Sequence, residues 1–319
     1  MTNGYARGAP ARRRTGSLDW TAFLPFVSFA LLMVVIFVIQ PRSFSYMGLR
    51  LLLNFSIPLI FASMAQSCII LMGDIDLGIG SFIALANCIA ARWLEADPLL
   101  AVASFAGCLA AYGAMGALIQ HRALPSIIVT LGASFVWLGL AVLVMPRPGG
   151  SAPAWLVGLV RGQPPIFPVP IIVSLAVGLL AHWVLNVSSL GAVLRGAGGS
   201  PATLARSGWS LLRLKVGLFV AGGFFALLAG VALTGLNTTG DANVGDQYTL
   251  LSIAAVVVGG GQFSGGVVSA FGSVIGALTM LLVSVLLSFL NISTDWQMSV
   301  QGAILVLVLA ARAFSSREP

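Results

Sequence analysis

Charge is what this chain has least of. Only 8% of its 319 residues are Asp, Glu, Lys or Arg, against about a quarter in a soluble domain. That scarcity excludes a water-soluble globule, and the 58% of residues that are hydrophobic fit a bilayer, where apolar side chains need no covering. Lysine occurs once, as Lys215. No Gly-x-x-x-x-Gly-Lys-[Ser/Thr] phosphate loop surrounds it, so ATP hydrolysis by such a loop is excluded. Cysteine is as scarce: Cys68, Cys88 and Cys108 lie in apolar runs without metal-site spacing and read as buried thiols. His121 and His182 have no nucleophile partner, and no catalytic constellation emerges. The formal charge of +7 comes with no nucleic-acid-binding motif.

What is present is a series of apolar runs. A hydrocarbon core of about 30 Å needs roughly 20 apolar residues per helix. Such runs predict an all-α membrane protein, a polytopic bundle of about ten transmembrane helices with broken or re-entrant segments. They fall near Trp20–Gln40, Arg50–Met72, Leu77–Leu94, Leu99–Ile119, Leu124–Met145, Pro168–Val187, Leu214–Leu236, Tyr248–Gly259, Ala270–Leu290 and Trp296–Ala313. The Pro- and Gly-rich stretch from Pro146 to Pro165 reads as a loop. The first run follows Arg12, Arg13 and Arg14 but is long and lacks a small-residue cleavage site, so it reads as a retained helix. The predicted organisation is a tail over 1–19, one membrane domain over 20–313 and a tail over 314–319.

Basic residues sit on the cytoplasmic side of membrane proteins. With both termini cytoplasmic, the inside holds Arg7, Arg12, Arg13, Arg14, Arg122, Arg195, Arg206, Arg213, Lys215, Arg312 and Arg317. The outside holds Arg42, Arg50, Arg92, Arg147 and Arg161, and also Glu95, Asp97, Asp241, Asp246 and Asp295. The longest inside segment, about 190–212, encodes a short helix outside the membrane. Ser200 is placed to cap it, Pro201 to start it and Gly208 to end it in a left-handed turn. A plain connecting loop with a stray helical turn is the competing reading.

Asp74 and Asp76 lie between two apolar runs, at a depth where a carboxylate costs about 2.5–3.5 kcal/mol. They suit a cap and hinge at the start of the third helix, whose dipole offsets their charge. Direct solute contact and a role near the inner face are the alternatives. Gly73, Gly78 and Gly80 permit irregular backbone, which a membrane tolerates only within protein or beside water. Gly259, Gly260, Gly265 and Gly266 form a second interruption, and paired interruptions point by analogy to a transport path. Gly222, Ala226 and Gly230, four apart, read as helix-packing residues, as do Gly272 and Gly276.

Several stretches together resemble the permeases of sugar ABC importers of the ribose, xylose and galactose type. Gly73-Asp-Ile-Asp-Leu-Gly-Ile-Gly-Ser81 is similar to that family's Gly-Gly-Ile-Asp-Leu-Ser-Val-Gly-Ser signature. Leu124-Pro-Ser-Ile-Ile-Val-Thr-Leu-Gly132 resembles its Val-Pro-Ser-Phe-Ile-Val-Thr-Leu-Gly, and Arg195 to Gly208 its Gly-Gly-Asn-Pro-x-Ala-Ala-x-x-Ser-Gly stretch. Ile253 to Gly266, with Gly272 to Ala277, looks like its Ile-Ala-Ala-Val-Val-Ile-Gly-Gly block. The matches run in family order over about 44–312. Asp74 departs from the family's second glycine, Gly78 and Ser200 from a serine and an asparagine, and Leu250 and Leu251 from an acidic pair.

The resemblance implies a permease that pairs with a second permease copy in the bacterial inner membrane. A cytoplasmic ABC ATPase using ATP and Mg drives it, and a periplasmic solute-binding protein supplies it. It implies that Ser200, Pro201, Ala202, Ala205, Arg206 and Gly208 form the coupling helix docking on the ATPase. No cofactor is expected on this chain. A neutral polyol path would use Asn54, Gln66, Asn87, Thr130, Trp137, Trp296 and Gln301, each facing the bundle, with interhelical hydrogen bonding as the competing role. The alternative function is a secondary transporter or channel without an ATPase, in which Asp74 or Asp76 couples an ion. A membrane-embedded enzyme would need paired His, Asp or Glu residues on facing helices, and these are missing.

Overall fold

The computed structural model describes residues 23–315. The tail over 1–19 with its four arginines, the start of the first run at Trp20, and Arg317 lie outside the described residues. Fourteen α-helices follow in order. They are α1 (Leu24–Ile39), α2 (Tyr46–Leu53), α3 (Ser56–Ile70), α4 (Ile79–Trp93), α5 (Pro98–Arg122), α6 (Ser126–Val144) and α7 (Ala154–Arg161). Then come α8 (Val169–His182), α9 (Ser189–Gly199), α10 (Pro201–Arg206), α11 (Leu211–Asn237), α12 (Asp246–Val258), α13 (Ala270–Phe289) and α14 (Thr294–Ser315).

The starts are written locally. Ser45, Asp97, Ser188, Ser210 and Ser269 each accept a backbone N–H of the first turn they precede, of Gly48, Leu100, Gly191, Arg213 and Gly272 respectively. Each of the ten apolar runs corresponds to helix in the structure. By length and composition five helices among the described residues can cross a bilayer unaided: α5, α6, α8 with its π-turn to Val187, α11 and α13. A sixth span forms if α2 and α3, bent by 43° at Asn54–Phe55, count as one. The apolar helices α1, α4 and α12 are shorter.

Residues 146–165 are not wholly loop, as the prolines suggest. Pro153 precedes a two-turn helix, α7, whose Leu156 and Val160 pack with Ile57, Ala232 and Leu236. Proline breaks a helix interior, where it lacks the N–H and its ring clashes with the preceding turn, but it is tolerated at the very start.

Helix α11 runs through the centre against α3, α4 and α5. It does so through glycines. A Cβ at Gly222 would press on Ala65 and Ile69, one at Gly223 on the Tyr112 ring, and one at Gly230 on Ile83 and Asn87. The spacing of Gly222, Ala226 and Gly230 is therefore used for helix contact, as its periodicity predicts. The connections after α3 and α12 meet with α9 at one end of the bundle, here the Lys215 end. The connections after α4, α6 and α11 meet at another, the Glu95 end.

Candidate functional site

The chain between α3 and α4 leaves helical geometry at Gly73, whose φ of +77° is in the left-handed region. Residues 74–76 then run without regular structure through the protein interior, 77–78 bend into α4, and their backbone groups must find partners there. Two helices supply them. From α6, Ser126 Oγ accepts the Ile75 N–H at 3.2 Å, and Thr130 Oγ1 accepts the Leu77 N–H at 3.0 Å. From α3, the Gln66 amide, oriented to match donors with acceptors, donates to the Asp76 carbonyl at 3.3 Å and accepts its N–H at 3.2 Å. Gln66 and Thr130 are fully buried.

Asp76 is 1% exposed and fully engaged. Its Oδ1 accepts the Gly78 N–H at 2.7 Å, at the entry to α4, and its Oδ2 accepts the Tyr112 hydroxyl of α5 at 2.7 Å. Charge-assisted bonds of this length offset the cost of burying the carboxylate. Around Tyr112 sit Phe82 and Trp137, with ring centroids 4.5 and 6.1 Å away. Asp74 faces the other way. Its Oδ2 lies 2.9 Å from Lys215 Nζ at the start of α11, and both side chains are 12% exposed.

Helices α4 and α12 have 15 and 13 residues. At 1.5 Å per residue each covers about 20 Å, well short of a hydrocarbon core. Their N-termini meet. Gly80 N–H donates to Thr249 Oγ1 at 3.1 Å, and a Cβ at Gly80 would overlap that hydroxyl and the Gly245 carbonyl. Two short helices thus face each other through their positive ends.

The second interruption follows α12. Gly259 and Gly272 approach so closely that neither admits a side chain. Gly260, Gly265 and Gly266 have φ of +104°, +81° and +75°. The two interruptions are brought together: Gly266 N–H donates to the Leu71 carbonyl at 2.9 Å, and Gly265 lies against Gly73. Gly198 of α9 fits between them, since a Cβ there would overlap Leu71 and Gly266. Leu71, Leu194 and Leu218 close an apolar cluster at the same place.

From this junction α9 leads to α10, whose residues are exposed apart from half-buried Leu204. Ser200 holds the N-cap position, but its hydroxyl binds the Thr203 hydroxyl at 2.8 Å instead of a backbone N–H. Gly208 has φ of +86°, the left-handed ending its sequence suggests. Pro201, Ala202, Ala205 and Arg206 are all exposed.

At the Glu95 end, fully buried Asn87 joins three segments. Its amide donates to Thr234 Oγ1 at 2.8 Å and to the Thr239 carbonyl at 3.3 Å, and its Oδ1 accepts the Asp241 N–H at 2.9 Å. Gly149 and Gly240 exchange backbone hydrogen bonds beside it. Among the other polyol candidates, Gln301 donates to Ser284 Oγ at 2.8 Å, and Asn54 sits at the α2–α3 bend. Trp296 does not face the bundle as expected; it is 68% exposed. An indole suits a membrane interface as well as an interior, so its residue type left the choice open. Sequence reasoning missed Tyr112, Ser126 and Lys215. Lys215 carried a signal, being the sole lysine beside a long apolar run, where a cation needs a partner.

Apolar helices with two short members, joined at glycine breaks in the interior, define a multi-pass membrane protein of the broken-helix kind that transport proteins use. The chain belongs to the permease family described as branched-chain amino acid transport system / permease component, whose family model matches residues 48–309. It is 31% identical over 300 residues to the ribose import permease protein RbsC of Haemophilus influenzae, covering 89% of this chain and 91% of that one. It is 29% identical over 300 residues to the protein of the same name in Bacillus subtilis, covering 92% and 93%. To the D-allose transport system permease protein AlsC of Escherichia coli it is 28% identical over 258 residues, covering 79% and 78%. No solved structure matches the chain. The family is one of transport permeases, not of catalysts.

Proposed function

We propose that this chain is the pore-forming permease subunit of an ATP-driven importer for a sugar or sugar-like solute, working in the bacterial inner membrane. The solute class rests on the sugar permeases among its relatives. The observation that carries the mechanism is the seating of α9. This helix bears the exposed α10 at its end and wedges Gly198 between the two helix breaks. A push on α10 from a cytoplasmic ATPase then acts on both breaks through rigid backbone contacts. In this reading α10 is the coupling helix, ATP and Mg belong to the ATPase, and a periplasmic binding protein delivers the solute at the Glu95 end. The short helices α1, α4 and α12 complete crossings with the irregular segments beside them, and α14 adds another. They give about ten crossings with both termini cytoplasmic, in a pair of permease copies.

An ion-coupled carrier would need a carboxylate free to take up its ion. Asp74 and Asp76 are both engaged, by Lys215 and by Tyr112 with Gly78, which favours the importer. Purification of the tagged chain from its native membrane tests the choice. Co-purification of an ABC ATPase supports the importer. Recovery of the chain alone, with solute flux indifferent to ATP, refutes it.

A further inference from the structure

The Asp74–Lys215 pair is the only ion pair among the described residues, and it lies where four segments converge. Asp74 belongs to the first break, one residue after left-handed Gly73. Lys215 sits in the first turns of α11, the helix that follows α10 after a four-residue turn. Next to the pair, the Leu71 carbonyl takes the Gly266 N–H of the second break at 2.9 Å. Leu71, Leu194 of α9 and Leu218 of α11 form the buried centre of an apolar cluster, with Cys68, Met72, Leu214 and Val268 against it.

The backbone contacts tie α9 to the breaks on one side of α10. On the other side, α11 reaches the first break through the apolar cluster and this one charged contact. Removing either partner strands a charge that is almost out of water, so the contact is worth most when both members are present. Asp74 also stands where the signature this segment resembles carries glycine, which makes the pair a property of this chain and not of the motif.

We propose that Asp74 and Lys215 are a positioning pair that clamps the start of α11 onto the first break. It keeps the junction closed and makes both flanks of α10 move with the break. The proposal rests on α10 being the coupling element, but its closure is measurable without transport.

Cys68 is the native reporter. It is a half-buried free thiol at the end of α3, packed on the junction cluster. In a C88A/C108A background in proteoliposomes, its rate of reaction with N-ethylmaleimide follows how often the cluster opens. The variants D74N and K215M are expected to raise that rate about fivefold or more, while the charge-reversed D74K/K215D returns it to within about twofold of the parent. Where either single variant does not elute as the parent does, D74G decides, since glycine suits this segment. Faster labelling of D74G supports the clamp. Parental labelling rates in D74N, K215M or D74G, or a reversed pair that labels as fast as the single variants, overturn it. Loss of the ATPase partner would sink the importer reading and leave the labelling result standing.

Discussion

At the scale of the residue, buried polar groups in this protein are spent on backbone rather than left free. Asp76 illustrates the arithmetic. Its two hydrogen bonds, to Gly78 N–H and to the Tyr112 hydroxyl, are charge-assisted, and each contributes about 1.5–3 kcal/mol. Tyr112→Phe keeps the ring packing against Phe82 and loses one bond, and is expected to lower stability by about that amount, read as a lowered midpoint of thermal unfolding in detergent. Asp76→Leu removes both bonds, leaves the Tyr112 hydroxyl unpaired, and is expected to harm assembly more than solute preference. A well-assembled Asp76→Leu protein with altered preference would show that the carboxylate touches solute. Glycines separate in the same way. Gly230→Ala is expected to destabilise, because its Cβ would overlap the Ile83 carbonyl and the Ala86 methyl. Gly107→Ala, with open space around it, is expected to stabilise by about 0.5–1 kcal/mol, the helix preference for alanine over glycine. Thermal unfolding of the two variants side by side checks both signs.

At the scale of the element, much was legible. Apolar runs marked the helices, because hydrocarbon must be met by unbroken apolar surface whatever the tertiary arrangement. Pro201 and Gly208 marked the two ends of α10 locally, although the Ser200 hydroxyl caps no backbone N–H. Legibility failed where an element's fate depends on distant groups. The segment from Pro146 to Pro165 looked like loop, yet 154–161 folds as α7 because Leu156 and Val160 find a partner surface on α11. Trp296 looked interior and lies exposed. For α10, deletion of Ser200–Arg206 or Gly208→Trp is expected to leave insertion intact and abolish coupling. Solute-stimulated ATPase activity at the parental level in the deletion would overturn its assignment.

At the scale of the whole molecule, the bundle has two ends of different build. The Lys215 end gathers both breaks, the ion pair and α10. The Glu95 end is laced by Asn87, by the Gly149–Gly240 pairing and by Ser151, whose hydroxyl donates to Glu95 at 2.9 Å. The proposed orientation assigns these ends to opposite compartments. In a cysteine-free background, Ser207→Cys is expected to react with an impermeant maleimide only in inside-out vesicles, and Ser151→Cys only in right-side-out ones. Both positions are exposed, and labelling from the reverse sides would invert the topology.

The sequence by itself determined the solvent, the helical class and the sites of irregular backbone. Charge scarcity, apolar run length and glycine placement act locally and do not depend on where other segments lie. Only the tertiary structure decided that the two breaks touch, that α9 wedges between them, and that Asp74 meets Lys215 while Asp76 meets Tyr112. Those are pairings between residues far apart in the chain. Their energy comes from burying unlike groups together, so no short window of sequence could have assigned them.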